Sequence, residues 1–158
     1  MRAVRSGGTH KLRSLIDEGI NLNFVDSKSG MTPLMLAANS GHTEVVRLLM
    51  SAGSDVHLAA SDGASALHWA ASRGHEEIAA LLIDGGADVN RRRDSGQSEG
   101  GPTPLHFAIS QGSDAIALML IDAGASLDIE YVWGDVEAYA RHHGREAVVK
   151  RVRERQYR

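Results

Sequence analysis

Eight histidines, three consecutive arginines and seven aromatic side chains are the residues of this 158-residue chain whose types could do chemistry. Histidine beside carboxylate is the usual material of metal sites and of acid–base catalysis. His75-Glu76-Glu77-Ile78-Ala79 begins like a zinc-protease helix, but the second histidine, four residues on, is missing. His142 and His143 are adjacent and so diverge on a helix, where only residues three or four apart share a face. Gly96 to Gly101 is glycine-rich, yet no Lys-Ser or Lys-Thr follows, so it is no phosphate loop. There is no cysteine, which excludes disulfides and thiolate metal sites. No catalytic residue, cofactor, metal or small-molecule substrate is expected.

The remaining chemistry is that of binding. Arg91, Arg92 and Arg93 form a compact cationic run, readable as a solubilising loop or as a contact for a partner. The aromatics are Phe24, Trp69, Phe107, Tyr131, Trp133, Tyr139 and Tyr157. Large aromatic and arginine side chains supply much of the energy of protein interfaces, so what positions them decides their use.

What positions them is a repeat. Gly7 and Gly19, Gly41 and Gly53, Gly74 and Gly86, and Gly112 and Gly124 are pairs with the same separation of 12 residues. Gly7, Gly41, Gly74 and Gly112 follow one another at intervals of 34, 33 and 38 residues. Self-similarity at that period marks a solenoid of small stacked units, which works by presenting a surface. Within one unit, Thr32 suits a helix N-cap and Pro33 the first helical position. Gly41 should stop that helix. A second helix follows, with Val45, Val46, Leu48, Leu49 and Met50 as a broad apolar stripe. Thr32, Ser65, Thr103 and Asp135 are equivalent caps, each preceded within two residues by Gly30, Gly63, Gly101 or Gly134.

At 100° per residue, Leu34, Ala37 and Ala38 share the core side of the first helix, and Leu36, Asn39 and Ser40 point away. The same projection turns Trp69, Ser72 and Arg73 outward in the third unit and Phe107, Ser110 and Gln111 in the fourth. Trp69 and Phe107 then have two readings, as packing between adjacent helices or as anchors for a partner. Val136, Tyr139 and Ala140 form an apolar set of their own, so Tyr139 reads as buried.

Thr103-Pro104-Leu105-His106-Phe107-Ala108, Gly74-His75 and Gly86-Ala87-Asp88-Val89-Asn90 resemble the ankyrin repeat, and Thr32 to Ala38 and Ser65 to Ala71 depart from it mildly. The resemblance implies an all-α repeat solenoid, an ankyrin-like stack of helix-turn-helix units with β-hairpin-like fingers. It implies that His68 and His106 brace the turn by hydrogen bonding, that His42 and His75 sit at helix junctions, and that fingers and outward helix faces line a concave groove. One domain spans 1–158, in units 1–29, 30–62, 63–100, 101–133 and 134–158, of which the first and last cap the stack. Met1 falls where a first helix is already under way. The finger between units three and four is five residues longer than its neighbours, within Arg91 to Pro102.

The expected function is non-catalytic binding of a partner protein through Trp69, Arg73, Phe107, Gln111, Arg91, Arg92, Arg93, Tyr131 and Trp133. Two other readings are an inhibitor of a partner enzyme or toxin, of an immunity type, and contact of a basic C-terminal helix with RNA or an anionic membrane surface. The net charge of −3 argues against general nucleic-acid affinity. Seven basic residues lie in 141–158 and six acids, without Lys or Arg, in 114–137. They read as a solvated helix beside an acidic edge, or as a steering field for a partner. No run is long and apolar enough for a membrane span, and no leader is evident. A cytoplasmic monomer is the default expectation.

Overall fold

Thr32 Oγ1 accepts a hydrogen bond from the Met35 amide at 3.3 Å, and Asp135 Oδ1 accepts from the Ala138 amide at 2.9 Å. Two further helix starts use a histidine. The Ser65 amide donates to His68 Nδ1 at 3.1 Å, and the Thr103 amide to His106 Nδ1 at 3.3 Å. A backbone amide can only donate, so in both imidazoles Nδ1 is the acceptor and the proton sits on Nε2. These four caps open the first helices of four successive units, where the spacing predicts them.

A computed structural model describes residues 1–27, 30–93 and 100–156. Among them are ten helices: α1 (Arg2–Arg5), α2 (Thr9–Asp17), α3 (Pro33–Ser40), α4 (Thr43–Ser51), α5 (Ala66–Arg73), α6 (Glu76–Asp84), α7 (Pro104–Gln111), α8 (Asp114–Asp122), α9 (Val136–His142) and α10 (Glu146–Gln156). They pair as helical hairpins. The odd-numbered helices pack side by side in one layer and the even-numbered ones in a second. The fold is an all-α repeat solenoid.

Alanine makes the first layer possible, because a methyl group lets neighbouring helices approach. Ala37, Ala38, Ala70, Ala71, Ala108 and Ala140 are buried, together with Leu34, Leu67 and Leu105. The second layer contributes Val45, Val46, Leu49, Ile78, Leu82, Ile116, Leu120 and Val148 to the same core. Leu36 points away from the main stripe but is also buried, since the adjoining helices close over it.

The fingers are slighter than the β-hairpin they resemble. Among the described residues the one bridge is an isolated antiparallel pair, Ala59 with Ser65. Each finger is instead closed by main-chain hydrogen bonding: Asp26 N to Met31 O, Ala60 N to Ala64 O, Arg93 N to Pro102 O and Tyr131 N to Gly134 O, at 2.8–3.0 Å. Gly30, Gly63 and Gly134 take the left-handed conformation before their caps, but in the long finger Gly100 does so in place of Gly101. The stretch 94–99, where the insertion was expected to project, lies outside the described residues.

The C-terminal charges answer one another. Arg145 faces Asp114 at 3.7 Å, Arg151 faces Asp122 at 2.9 Å, and Arg153 faces Glu137 at 3.0 Å. Arg141 pairs with the same Glu137, and Arg155 donates to the Ile121 and Ala125 carbonyls. The basic stretch is therefore paired partly across the interface with the preceding unit, through Asp114 and Asp122, and partly within its own unit, through Glu137. Val148, Val149 and Val152 seal the interface from within, and the outer face of α10 is exposed.

Candidate functional site

Four residues after each cap stands Leu36, Trp69, Phe107 or Tyr139, so one position recurs on four adjacent first helices. Leu36 and Tyr139 are buried; Trp69 and Phe107 are half-buried. Phe107 meets the edge of His68 at a centroid distance of 5.9 Å. The row is thus partly stack and partly surface. Trp69 Nε1 is buried without a hydrogen-bond partner.

The long finger places Arg93 over this row. Its guanidinium carbon lies 5.4 Å from the Trp69 ring centre and 5.7 Å from that of Phe107, within cation–π range. Asp62, on the preceding finger, accepts from Arg93 Nε at 2.8 Å and Nη2 at 2.6 Å through the same oxygen. Burial raises the Asp62 carboxyl, but the Ala64 amide and Arg93 outweigh it and hold its pKa below the ordinary value. Arg91 and Arg92 differ from Arg93 in what they touch. Arg91 donates to the Gly63 and His57 carbonyls at 3.2 and 3.4 Å, and Arg92 to the Gly101 and Glu130 carbonyls, both at 3.2 Å. These two join successive fingers.

Between the fingers and the first helices runs a groove of about 470 Å³, lined by Asp62, Arg93, Pro102, His106, Phe107, Ser110, Tyr131 and Tyr139. Tyr131 packs against His106 at 5.3 Å and Tyr139 at 5.9 Å. Burial, opposed by Ser110, raises the Tyr139 phenol above its ordinary pKa. His106 lines the groove and His68 is buried beside it, in edge contact with Phe107. Burial pushes both imidazoles down to about 4, with Arg93 and Arg91 adding to the effect at His68 and Arg92 at His106. The backbone of Pro102 and Arg91 near His68, and of Ile129 near His106, opposes the shift, and both Nε2 atoms are buried without a hydrogen-bond partner among the described residues.

The last finger ends in a strained turn. Val132 has φ 45°, and the Trp133 amide donates to the Tyr131 carbonyl across it. A left-handed β-branched residue costs about 1–2 kcal/mol. Trp133 remains 48% exposed although it stacks on His142, with ring centres 4.1 Å apart and planes 17° apart.

The structure brings Phe107, Arg93 and Tyr131 to one groove, with Trp69 beside it under Arg93 and Trp133 against Tyr139. Arg73 and Gln111 are exposed on neighbouring first helices, and Arg73 Nε donates to Asn39 Oδ1 at 2.9 Å. Sequence reasoning turned Ser110 outward with Phe107, but missed Asp62, Pro102, His106 and Tyr139 as lining residues. The cap register could have found Tyr139, which stands four residues after Asp135 as Phe107 does after Thr103. Nothing local marks Asp62, whose partner is 31 residues away. Among the described residues no three histidine or carboxylate side chains gather as a metal set, and no helix is long and apolar enough to cross a membrane.

Comparison with known proteins adds an independent line. The family model for ankyrin repeats (three copies) matches residues 1–93 and again 54–131. Over 64 residues, 40% of the chain, the sequence is 42% identical to the SH3 and multiple ankyrin repeat domains protein 1 of Homo sapiens, of which that stretch is 3%. Over 67 residues, also 40% of the chain, it is 44% identical to the Notch-regulated ankyrin repeat-containing protein of Homo sapiens, of which the match covers 59%. A match of 32% over 65 residues is found with the 2-5A-dependent ribonuclease of Mus musculus, covering 41% of the chain and 9% of that protein. The chain thus spans less than two thirds of the length of each of these relatives.

Proposed function

The chain belongs to the ankyrin-repeat family, whose repeats generally mediate protein–protein interaction, and from that premise we propose that it is a non-catalytic module whose groove takes a segment of a partner protein. The single observation that carries this is the placement of the aromatics. Phe107 and Tyr131 line one groove, Trp69 shares the Arg93 guanidinium with Phe107 beside it, and Trp133 packs on Tyr139 and His142, although the second helices hold most of the branched aliphatic core. Trp133 in particular is kept in the open by a strained turn, an arrangement that core packing does not require. Arg73 and Gln111 would contact the partner from exposed positions, with Arg93 holding the ring faces and Arg91 and Arg92 fixing the finger spacing. A rigid surface of this kind loses little entropy on binding. We take the single domain of five units, capped at both ends, to act as a monomer.

The ion pairs of α10 speak against a basic helix free for RNA or anionic membranes, since Arg151 and Arg153 already face acids of the chain. The test is an affinity pull-down with wild type and Trp69→Ala/Trp133→Ala. A groove-bound partner should fall by about tenfold or more, as expected for two aromatic anchors. Equal retention by both proteins would sink the aromatic-groove reading.

A further inference from the structure

The charge along the groove face is uneven, and its sign tells what kind of segment fits. Counted back from Gly7 as from Gly41, Arg2 falls where Leu36 stands and Arg5 where Asn39 stands. α1 packs against α3, so both arginines extend the row of outward positions on the first helices. Both are exposed. Arg73, also exposed, leans back toward them onto Asn39. Among the described residues none of these three arginines makes an ion pair, in contrast to the paired arginines of the C-terminal end.

The other end of the groove is of opposite character. Phe107, Tyr131 and Tyr139 wall it, and Glu130, next to Tyr131 on the adjoining finger, is exposed and in no ion pair among the described residues. A segment rich in carboxylates would be repelled there and attracted at the first units.

Resting on the groove reading above, we propose that the partner is an acidic–aromatic peptide segment, bound extended. Its carboxylates lie over Arg2, Arg5 and Arg73, and a large aromatic or aliphatic side chain enters the groove between Phe107, Tyr131 and Tyr139. Three helix-to-helix steps of about 8–10 Å separate α1 from α7, roughly 24–30 Å. An extended chain rising about 3.3 Å per residue covers that distance in about seven to nine residues. The uneven charge fixes which end of the segment lies where, because reversing it would set acid against Glu130 and leave the arginines facing an apolar side chain.

A phage-displayed library of random dodecapeptides, selected on the whole protein, tests this. The selected peptides should carry acids toward one end and an aromatic or large aliphatic residue toward the other. A fluorescent copy of the best peptide should bind about tenfold or more weakly to Arg2→Glu/Arg5→Glu/Arg73→Glu and to Phe107→Ala, and should weaken as salt is raised. Lys150→Glu, on the far helix, should leave binding unchanged. Phe107→Leu, which keeps apolar volume in the stack, serves should Phe107→Ala unfold. Peptides without acid enrichment, sensitive to Phe107 but not to the arginines, would overturn this inference and leave the groove reading intact. Peptides indifferent to both sets, or none selected, would overturn the two together. Binding of oligouridine RNA that the arginine reversals abolish, with no acidic peptide bound, would assign the cations to nucleic acid and overturn it as well.

Discussion

His68 and His106 occupy the third helical position, where a glutamate or glutamine commonly answers the cap, and they do it as neutral imidazoles buried under the fingers. Unfolding returns each from a pKa of about 4 to the ordinary 6.5. Between those values the unfolded chain holds protons that the folded chain refuses, so stability is complete above about pH 6.5 and falls as pH drops toward 4. At about 1.4 kcal/mol per unit, the loss approaches roughly 3 kcal/mol for each histidine. Asp62 works in a separate window: its lowered pKa contributes stability above the ordinary 3.8 that is lost only below it. Urea midpoints at about pH 7.5 and about pH 4.5 should therefore differ clearly, and His106→Gln should flatten the difference. Identical midpoints for the wild type would contradict the buried neutral imidazoles. The hydrogen-bonding role of these histidines was legible from the repeat, but their depressed pKa was not. It comes from finger residues that only stacking brings overhead.

At the scale of the element, α1, α3, α5 and α7 each end at a left-handed glycine that the next unit covers. Gly41 has φ 73°, and a Cβ there would stand 2.7 Å from His75 Cε1. Gly53 has φ 87° but open space around it. Gly53→Ala should cost about 1–2 kcal/mol for the backbone alone. Gly41→Ala should cost more, about 2–3 kcal/mol, because His75 must also give way. Chemical denaturation of the two variants measures the difference, and equal losses would show that His75 takes no part in holding the junction. The same junction position holds Ser113 in the next unit and Arg145 after it, each close to the preceding glycine. The element is thus specified twice, by its own caps and by the unit that follows. At the C-terminal end the second specification is ionic, through Arg145 with Asp114 and Arg151 with Asp122.

For the whole molecule, a stack of units in contact only with their neighbours should be least stable where a neighbour is missing or the unit is small. α1 and α2 bury one residue each, Val4 and Leu12, whereas α5 buries Ala66, Leu67, His68, Ala70 and Ala71 between α3 and α7. Amide hydrogen exchange should be slowest in α5 to α8 and fastest in α1 and α2. Uniform protection along the chain would mean that it opens only as one unit.

What the sequence determined by itself is the periodic part: Thr32, Ser65, Thr103 and Asp135 as caps, the alanine stripes, the terminating glycines, and with them the family. Those signals are local, since a cap or a left-handed glycine acts within a turn or two of its own position. Tertiary structure alone decided the particular part. It set Arg93 over Trp69 and Phe107 with Asp62, 31 residues away, as counter-charge. It engaged the basic C-terminal helix with Asp122 of the preceding unit and Glu137 of its own, and left Arg2, Arg5 and Arg73 of the first three units without an ion pair among the described residues. Side-chain partners across units depend on how two layers of helices and a row of fingers come to rest against one another, and a spacing of 33 or 38 residues along the chain does not encode that distance.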